Sequence, residues 1–155
     1  MKSVRNNQEK NDKKADNDSK ISQIFTDMNL QHLNELCYKI RGAIFKVHSS
    51  LGPGLLESVY VAALTYELSE LNLLVKPQLG VPVNYNGIML ELGFRMDMLV
   101  QNEIIIEVKS VEALHEVHKK QLLTYLKLAD KKLGLLVNFN VSSLKDKESA
   151  IRIIN

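Results

Sequence analysis

The chain has 155 residues, of which 45% are hydrophobic and 25% are charged, and its formal net charge is +2. This length and composition are typical of one globular domain with its own core. No apolar run reaches the roughly 18 residues of a membrane span, and the first residues lack the apolar segment of a signal peptide. We therefore expect a cytoplasmic protein with no membrane partner. The single cysteine, Cys37, excludes an internal disulfide and a cysteine-based zinc site.

The first 20 residues differ in composition from the rest of the chain. Apart from Met1 they contain only Val4 and Ala15 as apolar side chains, which is too little to bury. We predict a disordered polar tail over residues 1–20 and a single domain over residues 21–155. The tail holds six of the 20 basic and four of the 18 acidic residues, so the domain itself is neutral. A protein that binds nucleic acid without sequence preference usually carries a net positive charge, which this domain as a whole does not.

Two helices are predicted before the first strand. From residue 30 to 50 the apolar residues recur every three or four positions, which is typical of an amphipathic helix. A Gly-Pro-Gly turn at residues 52–54 separates it from a second helix over residues 55–73. Glu57 lies in the first turn of this second helix, on the same apolar stripe as Tyr60. Its carboxylate either caps the helix or points at the neighbouring sheet as an acidic ligand, and the spacing leaves both open.

The next segment predicts strands at the edge of a sheet. Residues 74–85 are extended but contain Pro77 and Pro82, which cannot donate to a sheet ladder, so we expect an edge strand. The Asn-Gly pair at residues 86–87 predicts a tight turn into a further short strand. Gly93, which follows that strand, is a candidate β-bulge.

The central feature of the sequence is a predicted hairpin, FRMDMLVQNEIIIEVKS at residues 94–110, with a polar turn at residues 101–103. If the strands pair antiparallel about Asn102, Asp97 lies directly opposite Glu107, with their Cβ atoms roughly 4.5–5.5 Å apart. One face of the hairpin is then wholly apolar, with Phe94, Met96, Met98 and Val100 from the first strand and Ile104, Ile106 and Val108 from the second. The other face carries the charged residues Arg95, Asp97, Glu107 and Lys109.

Two opposed carboxylates in partly buried surroundings repel each other, so this register requires a compensating charge. A divalent metal ion between Asp97 and Glu107 would supply it, and Lys109 would then hold a water or a developing negative charge beside the metal. The alternative is an ordinary cross-strand charge ladder on a solvated face. Leu99 and Ile105 share the charged face, which favours a covered site over a solvated one.

A third helix is predicted over residues 112–131, followed by a buried strand over residues 133–139 and a last strand over residues 150–154. Gln121 and Tyr125 lie together on one flank of this helix. These two side chains either border the charged face of the hairpin or bond to backbone near a sheet edge, and the pattern leaves both open.

The segments GLLESVY, FRMDMLV, IIIEVKS, QLLTYL and LGLLVNF follow one another in an order that resembles the PD-(D/E)XK nuclease superfamily. Within it the chain is most similar to the GxxExxY family, whose motif is matched by Gly54, Glu57 and Tyr60. Met96 stands where the superfamily is named for proline. The resemblance implies an α/β fold with a mixed sheet flanked by helices and a restriction-endonuclease-like core of order αβββαβ.

The resemblance also implies roles for individual residues. Four are expected to be catalytic: Glu57, Asp97, Glu107 and Lys109. Four more are expected to support them: Tyr60, Arg95, Gln121 and Tyr125. The implied metal is Mg²⁺ or Mn²⁺, which prefers oxygen ligands, and it would be held by the three acids and the backbone carbonyl of Val108.

These roles imply a metal-dependent nuclease that hydrolyses phosphodiester bonds of nucleic acid, with DNA favoured as the partner. The alternative is a non-catalytic module of the same fold that binds a protein or a nucleic acid. The neutral domain favours the module, whereas the complete set of acids and the lysine favour the enzyme. The sequence leaves the oligomeric state open.

Overall fold

A computed structural model describes residues 2–91 and 94–155, with side chains from residue 13 onward. Gly93, predicted as a bulge, lies outside these residues. The helices are α1 (Lys2–Leu51), α2 (Glu57–Glu70) and α3 (Glu116–Leu128). The strands are β1 (Val75–Gly80), β2 (Val83–Tyr85), β3 (Ile88–Leu90), β4 (Arg95–Val100), β5 (Ile104–Lys109), β6 (Leu133–Asn138) and β7 (Ala150–Ile154). By their internal contacts the residues divide into two units, Met1–Leu36 and Cys37–Asn155.

The first unit is helical, and it differs from the prediction of a disordered tail over residues 1–20. The structure has α1 from Lys2 onward, and the side chains of residues 13–20 are exposed. Neither glycine nor proline interrupts the chain before Gly42, and exposed pairs one turn apart support the helix, as between Lys20 and Asp16 at 2.7 Å. The predicted domain start at residue 21 stays a prediction.

Truncation of the chain to begin at Ile21 tests that boundary. We expect the thermal midpoint of unfolding to stay within a few degrees of the full chain, because residues 13–20 are exposed and an exposed ion pair contributes only about 0.5 kcal/mol. Calorimetry of the two proteins in the same buffer measures this. A loss of cooperative unfolding in the shorter protein would show that the segment is part of the core.

The second unit contains a five-stranded mixed sheet in the order β1-β4-β5-β6-β7. β4 pairs antiparallel with β1 and β5, β6 pairs parallel with β5, and β7 is antiparallel to β6. The parallel pair requires a crossover, which α3 provides. Read along the chain, α2-β1-β4-β5-α3-β6 gives the predicted αβββαβ order, with the β2–β3 hairpin inserted after β1. The predicted α/β fold class is confirmed.

The helices α2 and α3 cover opposite faces of this sheet. Leu99 packs in one core cluster with Leu122 of α3, whereas its neighbour Met98 contacts Thr65 of α2. Consecutive strand residues point to opposite faces, so the two contacts lie on different sides. Because both faces are covered, all residues of β6 are buried, as the continuous apolar run predicted. None of the helices in the described residues is both long and apolar enough to cross a membrane.

Candidate active site

The hairpin of β4 and β5 has the predicted register. Met98 pairs with Ile106, Leu99 with Ile105 and Val100 with Ile104. This is the alignment that places Asp97 opposite Glu107. The regular ladder ends at Met98 and Ile106, one position before the two acids.

At Asp97 and Glu107, hydrogen bonds from backbone to side chain replace the backbone-to-backbone bonds of the ladder. The backbone N–H of Asp97 donates to Oε1 of Glu107 at 3.1 Å, and the backbone N–H of Val108 donates to Oδ2 of Asp97 at 2.8 Å. Each carboxylate therefore accepts a hydrogen bond from the backbone of the opposite strand. Such bonds anchor one oxygen of each acid before any ligand binds.

The chain is irregular at Asp97, and one prediction for the hairpin is wrong. Met96 and Met98 were predicted to share an apolar face, but Met96 packs with Leu99 on the α3 side and Met98 contacts α2. Strict alternation would put positions 96 and 98 on the same face, so the alternation is interrupted between them. Asp97 lies at this interruption, where regular pairing has stopped.

The acid pair is costly to ionise. The Glu107 side chain is 3% exposed, and burial, followed by the nearby charge of Asp97, raises the pKa of Glu107 to about 8. Burial also raises the pKa of Asp97, against the lowering effect of the Val108 N–H and of Lys109. At neutral pH the pair therefore retains a proton unless a cation compensates the second charge.

Lys109 provides one positive charge beside the pair. Its Nζ lies 3.8 Å from Oε2 of Glu107, and the lysine side chain is only 15% exposed. Arg95, by contrast, is exposed at the start of β4, and in the described residues no hydrogen bond or ion pair joins it to either acid. The burial of Glu107 and Lys109 differs from what a solvated charge ladder would show.

Glu57 reaches this site from α2. It is the first residue of the helix, and its Oε1 accepts the backbone N–H of Ser110, directly after β5, at 3.3 Å. Its negative charge contributes to raising the pKa of both Asp97 and Glu107. The structure thus brings Glu57 toward the pair. A catalytic or metal-binding role for Glu57 stays a prediction.

Tyr60 fixes the turn that delivers Glu57. Its hydroxyl donates to the carbonyl of Gly52 at 2.6 Å and accepts the N–H of Leu55 at 3.1 Å. The fully buried ring stacks on Phe139, with centroids 4.5 Å apart. One side chain thus ties both ends of the Gly-Pro-Gly turn to the core, and the supporting role of Tyr60 at the site stays a prediction.

Replacing Tyr60 with phenylalanine should destabilise the protein by about 1 kcal/mol, because two partly buried backbone groups lose their hydrogen-bond partner. Urea unfolding measures this loss. Tyr66→Phe is the matched control, since Tyr66 lies on the same helix and is 62% exposed. Equal stability of the Tyr60→Phe variant and the control would mean that the hydroxyl bonds contribute nothing.

Gln121 and Tyr125 bond to each other, and among the residues that the structure describes neither side chain bonds to backbone at a sheet edge. The Gln121 amide donates to the Tyr125 hydroxyl at 2.8 Å, and the Tyr125 ring meets Phe94 edge-on at 6.0 Å. Burial raises the pKa of Tyr125, and the charges of Glu107 and Asp97 raise it further. Tyr125 is therefore close enough to the acid pair to be affected by its charge, and the supporting role of Gln121 and Tyr125 stays a prediction.

The donor set is compatible with a divalent metal of the Mg²⁺ type. Mg²⁺ is commonly held by one or two carboxylates, with waters and substrate oxygens completing the shell. The described residues contain no ready-made group of three His, Cys, Asp or Glu side chains for a metal. Two opposed carboxylates whose pKa values are both raised, chiefly by burial, are nevertheless a fitting partner for such an ion. The carbonyl of Val108 as a ligand stays a prediction.

Sequence reasoning missed Gln78. Its Nε2 lies 3.4 Å from Oδ1 of Asp97, and both residues line a cleft of about 630 Å³ together with Glu57. Nothing local in the sequence marks this glutamine. Only the pairing of β1 with β4, which depends on contacts distant along the chain, places it opposite Asp97.

Comparison with known proteins agrees with this geometry. A family model described as the PD-(D/E)XK nuclease superfamily matches residues 34–153, which is most of the chain. The chain belongs to the PD-(D/E)XK nuclease superfamily. Nucleases of this superfamily generally use divalent metals, which suits the acid pair. No curated protein and no solved structure matched the chain.

Proposed function

We propose that this member of the PD-(D/E)XK superfamily is a Mg²⁺- or Mn²⁺-dependent nuclease that hydrolyses phosphodiester bonds, with DNA as the favoured substrate. The observation that carries the proposal is the cross-anchored pair of the partly buried Asp97 and the buried Glu107, with the Lys109 ammonium beside it. The motif residues Gly54, Glu57 and Tyr60 support placement in the GxxExxY family.

The roles of the residues follow from their chemistry. Asp97 and Glu107 would hold the metal ion, with Glu57 as a third acid near them. When bound, such an ion polarises the phosphodiester and makes a bound water more acidic. Lys109 orients the attacking water or stabilises the negative charge that develops on the phosphate. The buried position of its side chain strengthens that effect, because water screens it less.

The second candidate is a binding module of the same fold that does not cleave. The observation that favours it is the neutral charge of residues 21–155, because nucleic-acid enzymes usually present a positive surface. The two functions differ in one measurable property. A binding module retains substrate without breaking it, whatever metal is supplied.

A cleavage panel separates these functions. The purified protein is incubated with end-labelled single- and double-stranded DNA and RNA in the presence of Mg²⁺, Mn²⁺ or chelator. We expect metal-dependent cleavage of at least one substrate, absent from the Asp97→Asn variant. Asp27→Asn, an exposed substitution on α1, serves as the matched control for preparation and contamination. Binding without cleavage in every arm would favour the module.

Glu57→Gln tests whether Glu57 acts on the site or merely begins its helix. We expect weaker Mn²⁺ binding and a stability that is unchanged or slightly higher, because a negative charge near Asp97 and Glu107 is removed. Calorimetric titration with Mn²⁺ and urea unfolding provide the two values. Glu70→Gln, at the exposed end of the same helix, is the control. Unaltered Mn²⁺ affinity with a stability loss of up to about 1 kcal/mol would assign Glu57 to the helix end only.

A further inference from the structure

We propose that Gln78 is a positioning residue of this site, which holds the Asp97 carboxylate in the orientation that cation binding needs. The proposal deepens the proposed function and rests on it. It begins from the backbone, because Gln78 has a φ of +52° within an otherwise regular strand. Side chains other than glycine rarely adopt this left-handed conformation.

The strain is confined to one position. Pro77 pairs with Met98 and Leu79 pairs with Met96, so the ladder is intact on both sides of Gln78. Counting from either pair places Gln78 directly opposite Asp97, yet these two residues do not form a regular pair. A strained residue held by regular structure on both sides is typical of a functional position.

The side chain of Gln78, at the position with the left-handed backbone, contacts the carboxylate of Asp97. Asp97 Oδ2 already accepts the N–H of Val108, which leaves Oδ1 for other partners. The Gln78 amide reaches that oxygen with Nε2 at 3.4 Å. One donor on each oxygen restricts rotation of the Asp97 carboxylate. The 3.4 Å distance at Oδ1 is that of a weak hydrogen bond, so a stronger ligand of Oδ1 can displace the amide.

The contact between Gln78 and Asp97 lies at an open cleft. Gln78, Asp97 and Glu57 line the same cleft of about 630 Å³ between α2 and the β1 edge of the sheet. Replacing a residue that orients a metal ligand through such a hydrogen bond typically lowers metal affinity by about 10–100-fold.

Two variants remove the contact of the amide with Asp97 without adding backbone strain. Gln78→Gly removes the amide and accepts a positive φ without strain, whereas Gln78→Asn tolerates the left-handed conformation but is one methylene too short to reach Asp97. Asn72→Gly is the matched control, since Asn72 is exposed, has a φ of +57° and lies outside the cleft. Glycine increases the conformational freedom of the unfolded chain in both Gln78→Gly and Asn72→Gly, so this control corrects the stability of Gln78→Gly for that effect.

The test measures Mn²⁺ affinity by calorimetric titration and the orientation of Asp97 in crystals of the metal-free proteins. We expect Gln78→Gly and Gln78→Asn to weaken Mn²⁺ binding by about 10–100-fold, with thermal midpoints close to the Asn72→Gly control. We also expect Asp97 to adopt more than one orientation in Gln78→Gly crystals. Parent-like Mn²⁺ affinity in both variants, or a single unchanged Asp97 orientation in Gln78→Gly, would overturn the proposal.

The failure of the proposed function gives a different result. In that case the parent protein itself neither binds Mn²⁺ nor cleaves any nucleic acid. The orientation of Asp97 in the metal-free crystals then decides the positioning role alone. Disorder of Asp97 in Gln78→Gly supports the role, and an unchanged Asp97 overturns it.

Discussion

In chelated buffer the parent protein should lose stability as the pH rises from about 5 to about 8, at up to about 1.4 kcal/mol per pH unit. The reason is the pKa of Glu107, which is about 8 in the folded protein and near its ordinary value of 4.5 in the unfolded chain. Between these values the folded state retains a proton that the unfolded state has lost. The stabilisation is therefore complete below the unfolded pKa and disappears as the pH passes the folded pKa. The raised pKa of Asp97 acts in the same direction.

Glu107→Gln should remove most of this pH dependence, because the amide stays neutral throughout. At about pH 8 the variant should be more stable than the parent, while near pH 5 the two should be similar. Urea unfolding at several pH values with chelator present measures both slopes. Glu70→Gln, an exposed substitution, should keep the parent slope. An identical slope in Glu107→Gln and the parent would contradict a buried, protonated Glu107.

The second large effect is expected for Lys109→Ala. Removing a preorganised charge that acts on the transition state typically lowers kcat by about 10²–10³-fold. Metal binding should largely survive, because the lysine is assigned to the water and the phosphate and not to the ion. The variant should therefore keep the rise in melting temperature on addition of Mn²⁺ while losing cleavage. Single-turnover cleavage and melting curves on the same preparation provide both values.

Lys127→Ala, on the exposed side of α3, is the control for removal of a lysine. It should cleave like the parent. If Lys109→Ala also cleaves like the parent, the ammonium beside Glu107 serves only to compensate a buried acid. If it loses the Mn²⁺-dependent rise in melting temperature together with cleavage, Lys109 organises the metal site itself.

Much of the sheet was predictable because its signals are local. The polar turn after Val100 fixed the register of β4 and β5, and so the opposition of Asp97 and Glu107. The boundaries of β7 were predicted at residues 150–154, where the structure has them. The Asn-Gly turn between β2 and β3 was predicted from its sequence, and both of its residues have positive φ.

The unpredicted features depend on contacts between distant segments. Gln78 became a candidate only through the pairing of β1 with β4, and its left-handed backbone is not a glutamine preference. Met96 and Met98 lie on different faces of the sheet, because the alternation of β4 is interrupted where its ladder with β5 ends. A strict period-two pattern in the sequence does not predict such an interruption. The backbone over residues 2–20 is helical, whereas a disordered tail was predicted. The polar composition of this segment indicates that it has little to bury, but it does not determine whether the backbone is helical.

Melting of the parent and the Asp97→Asn variant over increasing Mg²⁺ or Mn²⁺ tests most directly whether the acid pair holds a divalent cation. A ligand that binds only the folded state stabilises it by about 2.7 kcal/mol at a hundredfold excess over its Kd. The melting temperature of the parent should therefore rise steadily with metal, and that of Asp97→Asn should not. Without metal and above about pH 8, where both acids are ionised, the variant should also start higher, since the repulsion between Asp97 and Glu107 is gone. A parent that does not respond to millimolar Mg²⁺ or Mn²⁺ would contradict a metal-dependent active site at this pair.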